Sequence, residues 1–184
     1  MPGFDSLGVP LHPLVVHFPI VLAVLLPIFA LAALWAIRKG TTPGRAWTLP
    51  LAVAAALTVS AYVAGETGER EEDRVERVVT RGAVHSHEEA AERFLVLSGV
   101  LLLVAAVGLV PRTLGEAARV LTAVGAVGLL AAGVQVGHSG GELVYRHGAA
   151  SAYTDGARAG AADAPAAVVT APVGAGERGE RGDH

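Results

Sequence analysis

Apolar residues in this chain are gathered into four uninterrupted blocks, 13–37, 46–65, 94–110 and 120–137, with polar positions confined largely to the stretches between them. None of the four contains Lys, Arg, Asp or Glu. A helix in a water-soluble bundle carries charge every few positions along its outer face, whereas these blocks are apolar all round. Each approaches the ~20 residues a helix needs to cross a hydrocarbon core of ~30 Å. The pattern predicts an all-α, integral membrane four-helix bundle forming one domain over residues 1–150.

Finer signals sit on this frame. His12 precedes Pro13, and proline suits the first helical position, so His12 is expected as the N-cap of span one. Pro19 and Pro27 each leave the carbonyl four residues back, Val15 and Ala23, without its usual donor, and a bend there could open a pocket beside His17. The second span is rich in alanine. The fourth carries Gly125, Gly128, Gly133 and Gly137 near helical spacing, either for close helix packing or to leave room for a flat macrocycle. Between spans two and three, residues 66–93 alternate in charge (Glu69, Arg70, Glu71, Glu72, Asp73, Arg74, Glu76, Arg77), which fits a solvated helix lying outside the membrane and assigns it no chemistry. Gly137, Gly140 and Gly141 are expected to break the fourth helix and turn the chain back, with Leu143, Val144 and Tyr145 on the bilayer rim. Residues 151–184, rich in Ala, Gly and Pro, predict a disordered tail.

Charge sets an orientation. Arg38, Lys39 and Arg45 lie between spans one and two, Arg112 and Arg119 between three and four, so both loops are expected in the cytoplasm and both termini outside the cytoplasmic membrane. The first block lacks a basic n-region and is too long for an h-region, so it is expected to remain as a span. A net charge of −3 gives no basic patch for nucleic acid. The chain has no cysteine, which excludes disulfides, iron–sulfur clusters and covalent haem attachment, and its only methionine is Met1. No serine sits in a nucleophile elbow, so hydrolysis is not indicated.

The histidines are the candidate chemistry. Six of the seven fall where one membrane face would be: His12 and His17 at the start of span one, His85 and His87 before span three, His138 and His147 after span four; His184 ends the tail. Imidazole is a common ligand for transition metals and haem iron. His12 and His17 are five apart, roughly 140° around a helix, and cannot chelate one ion together. His17 is instead expected to face His138 across the bundle, a pair able to grip the iron of haem b or to hold bare Cu, Zn or Fe. The alternative has His17 bonded to a carbonyl freed by proline and His138 at the water interface. The turn after span four would bring His147 over the same face as His12, making a second pair. His87, in the H-x-H of residues 85–87, is either a ligand or a solvated loop residue, and Ala91 stands where a zincin needs its second histidine. Glu66 is the carboxylate nearest this face and could fix the tautomer of a ligating imidazole.

The segments HPLVVHFPI at residues 12–20 and GHSGGELVYRHG at 137–148, with GETGE at 65–69 and HEEAAER at 87–93, resemble the signatures of a widespread bacterial family of small four-helix membrane proteins catalogued as a domain of unknown function. The resemblance covers about residues 10–150. It implies His12, His17, His87, His138 and His147 as the characteristic histidines and Gly140 and Gly141 as the paired glycines. Similar members are joined or linked to c-type cytochrome modules, which implies redox work at the outer face. The expectation is a membrane haem-b protein passing electrons to a c-type cytochrome or other redox protein, an electron carrier rather than a stand-alone catalyst, with a homodimer possible. Alternatives are a membrane module for bare Cu, Zn or Fe, and a cofactor-free structural protein that organises partners.

Overall fold

The computed structural model describes residues 11–153. A short helix α1 (Leu11–Val15) leads into α2 (His17–Arg38), followed by α3 (Pro43–Val75), α4 (Arg81–Val107) and α5 (Arg112–Tyr145), with no strand among the described residues. Four helical segments, α1 with α2 counted as one, are long and apolar enough to cross a membrane. They run up and down in sequence. Each of α2 to α5 packs on its two neighbours, α2 closing the ring on α5.

Side-chain size is inverted relative to a soluble bundle. On α2 the buried positions are Pro19, Ala23, Leu26, Pro27, Ala30 and Ala33, while Phe18, Ile20, Val21, Val24, Ile28, Leu31 and Trp35 point outward. The same holds on α5, where Ala118, Ala123 and Ala126 are inside and Val120, Leu121, Val124 and Val127 outside. Lipid solvates large aliphatic chains as well as a protein interior does, so close approach of small residues holds such helices together. A thin core of Ala23, Leu26, Ala54, Leu57, Phe94, Leu101, Ala126 and Leu129 runs down the centre.

Three expectations change. The first span is interrupted at Val16, and His12 lies inside α1 instead of capping it, because the chain already turns helical at Leu11. Residues 66–93 form no separate surface helix: α3 continues to Val75 and α4 begins at Arg81, since i,i+4 pairs such as Glu66–Arg70 and Glu89–Arg93 support helix on both sides of one short turn. α5 passes through Gly137, Gly140 and Gly141 without breaking and ends at Tyr145. Glycine permits a break but does not impose one, and Leu143 is buried against Val79, Val84 and Ala149. The turn comes later, at Gly148 with φ +71°. α3 and α5, at 33 and 34 residues, are about 50 Å long, well beyond a hydrocarbon core of ~30 Å. The tail expected over 151–184 lies mostly outside the described residues, and Ser151–Tyr153 are helical.

At the end holding the α2–α3 and α4–α5 turns, buried side chains reach carbonyls of the last turn of α4. Trp47, fully buried, donates its indole N–H to the Ala105 carbonyl at 2.9 Å. Arg119, 3% exposed, is no loop residue; it lies within α5 and donates to the Gly108 carbonyl at 2.6 Å. A Cβ at Gly108 would stand 2.3 Å from the Trp47 indole nitrogen, so this contact requires glycine. We expect Trp47→Phe to cost about 1 kcal/mol, from the lost hydrogen bond, and Trp47→Ala about 3–5 kcal/mol. Reversible unfolding in mixed detergent measures both, and a Trp47→Phe protein as stable as the parent would show that the indole N–H adds nothing.

Candidate imidazole site between two helix hairpins

The opposite end gathers the start of α1, the end of α3, the start of α4 and the end of α5 around a cleft of about 870 Å³. His12 and His87 lie on its wall with ring centres 6.3 Å apart and planes at 80°. Each ring is seated on the helix that returns beside it. His12 Nδ1 lies 2.9 Å from the Ala64 carbonyl of α3, and since a carbonyl can only accept, this nitrogen carries the proton. Thr67 donates to the same carbonyl at 2.9 Å. His87 Nδ1 lies 2.9 Å from Ser139 Oγ of α5, whose hydroxyl donates to the Val136 carbonyl at 3.0 Å. Both rings rest against glycine: a Cβ at Gly68 would come within 3.2 Å of His12, and one at Gly140 within 3.1 Å of His87. Neither Nε2 has a hydrogen-bond partner among the described residues, and neither is sealed off from the cleft.

One carboxylate fixes where His12 sits. Glu71 Oε1 accepts the backbone N–H groups of Leu11 at 2.8 Å and His12 at 3.2 Å, donors that the first turn of a helix cannot satisfy itself. Its other oxygen accepts the Tyr153 hydroxyl, and the Arg74 guanidinium lies over the Tyr153 ring. Burial, and then the Glu71 carboxylate, hold the Tyr153 phenol well above its usual range, so it remains a donor. Besides the two imidazoles the wall carries Glu69, Glu71, Glu72, Glu88 and Glu92 and neither Lys nor Arg. The alternating charge of 66–77 is thus only partly a solvated face.

The other candidates lie elsewhere. The expected facing of His17 and His138 is not what the fold brings together. His17 is exposed on the outside of the α1–α2 junction, its Nδ1 3.3 Å from the Leu14 carbonyl. His138, also exposed, points its Nε2 toward Glu142 at 3.7 Å. The reason is the unbroken α5, which turns position 138 outward and position 139 inward. His147 is exposed beyond the end of α5 and does not join His12 in a pair. His85 pairs with Glu88 and Glu89 on the surface. Glu66 is engaged with Arg70 at 4.0 Å and contacts neither imidazole. Gly140 seats His87, whereas a Cβ at Gly141 would meet nothing within 4 Å. His184 lies outside the described residues. The sequence reading missed Glu71, Thr67, Ser139 and Tyr153. For Thr67 and Ser139 a signal existed: G-x-[ST]-G occurs at 65–68 and again at 137–140.

The fold and its inverted packing define a four-helix membrane protein. Its family model, described as a predicted membrane protein (DUF2231), matches residues 8–152, and the chain belongs to that family. No curated protein and no solved structure matches it.

Because Glu71 serves three donors from two distant segments, we expect Glu71→Ala to raise amide hydrogen exchange at Leu11 and His12 about 10- to 100-fold, a loss of roughly 1–3 kcal/mol of local protection. Tyr153→Phe should leave those two amides protected and loosen only the segment after α5. Unchanged exchange in Glu71→Ala would remove this carboxylate from the site's support.

Proposed function

We propose that this membrane protein holds a transition-metal centre between His12 and His87, and that the centre is a b-type haem serving electron transfer. The observation that carries the reading is the imidazole pair itself. Two imidazoles sharing one metal, with metal–nitrogen distances of about 2.0–2.1 Å, have ring centres roughly 6 Å apart, and these stand at 6.3 Å. A ligating histidine generally donates its other ring N–H to a carbonyl or similar acceptor, as His12 Nδ1 does to the Ala64 carbonyl, and His87 Nδ1 stands against the Ser139 hydroxyl in the same way. Among the described residues no group of three or more His, Cys, Asp or Glu is arranged to hold an ion. Two imidazoles therefore suit a centre whose other donors come with it, and porphyrin supplies four. Bound there, haem would supply one-electron chemistry. The chain's own part is to hold the two Nε2 atoms, exclude a third protein ligand and screen one side with Ala61, Leu95 and Leu143.

A second reading, a bare Cu, Zn or Fe ion on the same two nitrogens, is favoured by the charge of the wall. Five glutamates with no Lys or Arg attract a cation and disfavour the propionates of haem. The positive-inside distribution of Arg38, Lys39, Arg45 and Arg112 would place this end outside the cytoplasm, where a c-type cytochrome or similar partner could reach it.

Absorption spectra of the detergent-purified protein, oxidised and reduced, with a haemochrome assay and metal analysis, separate these readings. We expect a reduced spectrum with split α and β bands, lost in His12→Ala and in His87→Ala and retained in His17→Ala and His138→Ala. Colourless protein with stoichiometric metal supports the bare ion. Pigment lost only in the His17 and His138 variants overturns the pairing. For orientation, a reporter inserted after Gly40 should be cytoplasmic and one at the C-terminus should not; the reverse puts the cleft on the inner side.

A further inference from the structure

The two imidazole seats are built alike. The first hairpin, α1 and α2 returning through α3, offers His12 at its entrance and Gly65-Glu66-Thr67-Gly68 on the returning helix. The second, α4 returning through α5, offers His87 near its entrance and Gly137-His138-Ser139-Gly140 on its return. In both, a hydroxyl donates to the carbonyl three residues earlier, Thr67 to Ala64 and Ser139 to Val136. In both, Nδ1 of the histidine meets that carbonyl–hydroxyl step, and the following glycine leaves room for the ring. The intervals agree closely, 55 residues from His12 to Thr67 and 52 from His87 to Ser139.

We infer that Ser139 is a positioning residue that locks His87 as the Nδ1–H tautomer, as the Ala64 carbonyl does for His12, so that two Nε2 lone pairs are presented to one ligand between the hairpins. The Ser139 hydroxyl donates to the Val136 carbonyl, and with its hydrogen placed there its oxygen accepts from His87 Nδ1. Thr67 stands 3.5 Å from His12 Nδ1 and acts beside the Ala64 carbonyl, which would hold that tautomer alone. A ligand that accepts two equivalent imidazole lone pairs is a transition-metal centre; that assignment rests on the function proposed above, but the tautomer lock does not.

The test is nitrogen NMR of full-length protein carrying ¹⁵N-histidine, in lipid bilayers, stripped of metal by chelator and held at a pH where imidazole is neutral. We expect His12 and His87 each to show a protonated Nδ1 and an unprotonated Nε2. Ser139→Ala should add an Nε2-protonated population at His87 alone, and Ser139→Thr should restore the single tautomer. Thr67→Ala should leave His12 unchanged. An Nε2–H tautomer at either histidine in the unaltered protein overturns the lock, and a Ser139→Ala spectrum identical to the parent's removes Ser139 from it. The predicted tautomers in a protein that takes up neither haem nor Cu, Zn or Fe would leave the lock standing and defeat the metal reading.

Discussion

A helix in hydrocarbon satisfies every backbone group except those at its ends, and the contacts that tie the ends of this bundle together answer that one constraint. At the end with the tight turns, Trp47 and Arg119 reach the carbonyls of Ala105 and Gly108 where α4 finishes. At the other, Glu71 takes up two N–H groups where α1 begins. Between the ends no comparable network is needed. The middle is held by alanines and a few large residues in close contact, with the aliphatic majority facing outward.

The imidazole site grows from the same economy. α3 and α5 are longer than a hydrocarbon core requires, and their ends, with the starts of α1 and α4, enclose a cleft whose walls are already helical. Small residues serve two purposes along these helices. Near mid-span they let backbones approach, as at Gly125, where a Cβ would come within 2.7 Å of Leu101. At Gly68 and Gly140 they let an aromatic ring lie where a side chain would otherwise be. Glu71 then couples the site to the chain beyond α5, since the carboxylate that positions His12 also receives Tyr153.

Much of the fold was legible in the sequence because it depends on uninterrupted apolar length, a signal read without knowing any contact. The same holds for the gathering of histidines at one end, where antiparallel spans leave no other arrangement. The pairing was not legible, and the reason is angular. Whether His138 or Ser139 faces inward depends on α5 continuing through three glycines, and a break at Gly137 would have rotated every later position. Likewise His17 lies on the outer face of the first span, its Nδ1 3.3 Å from the Leu14 carbonyl. Glu71 stood among eight charged residues of alternating sign, and nothing in that pattern distinguishes the one that meets the start of the first helix. The recurrence of G-x-[ST]-G was visible, but its meaning required seeing that each copy lies under an imidazole.

Two equivalent donors against a wall of five glutamates impose opposite demands on whatever binds. The donor count favours a centre that brings its own remaining ligands, and the charge favours one with a net positive core. Coulomb energy decides how strongly the second demand is felt: a carboxylate about 8 Å from a unit charge contributes about 2 kcal/mol at an effective dielectric of ~20, and far less where water intervenes. Glu69 and Glu92 are exposed and correspondingly screened, while Glu71, Glu72 and Glu88 are half-buried. Glu71 already accepts three donors, so its field is directed largely at the start of α1 and at Tyr153. Burial and then the Glu72 carboxylate raise the Glu88 carboxyl above its ordinary value, with His85 acting against them. Part of the wall's formal charge is therefore already engaged, and the imidazole pair, His12 seated on the Ala64 carbonyl and His87 on the Ser139 hydroxyl, sets the character of the site.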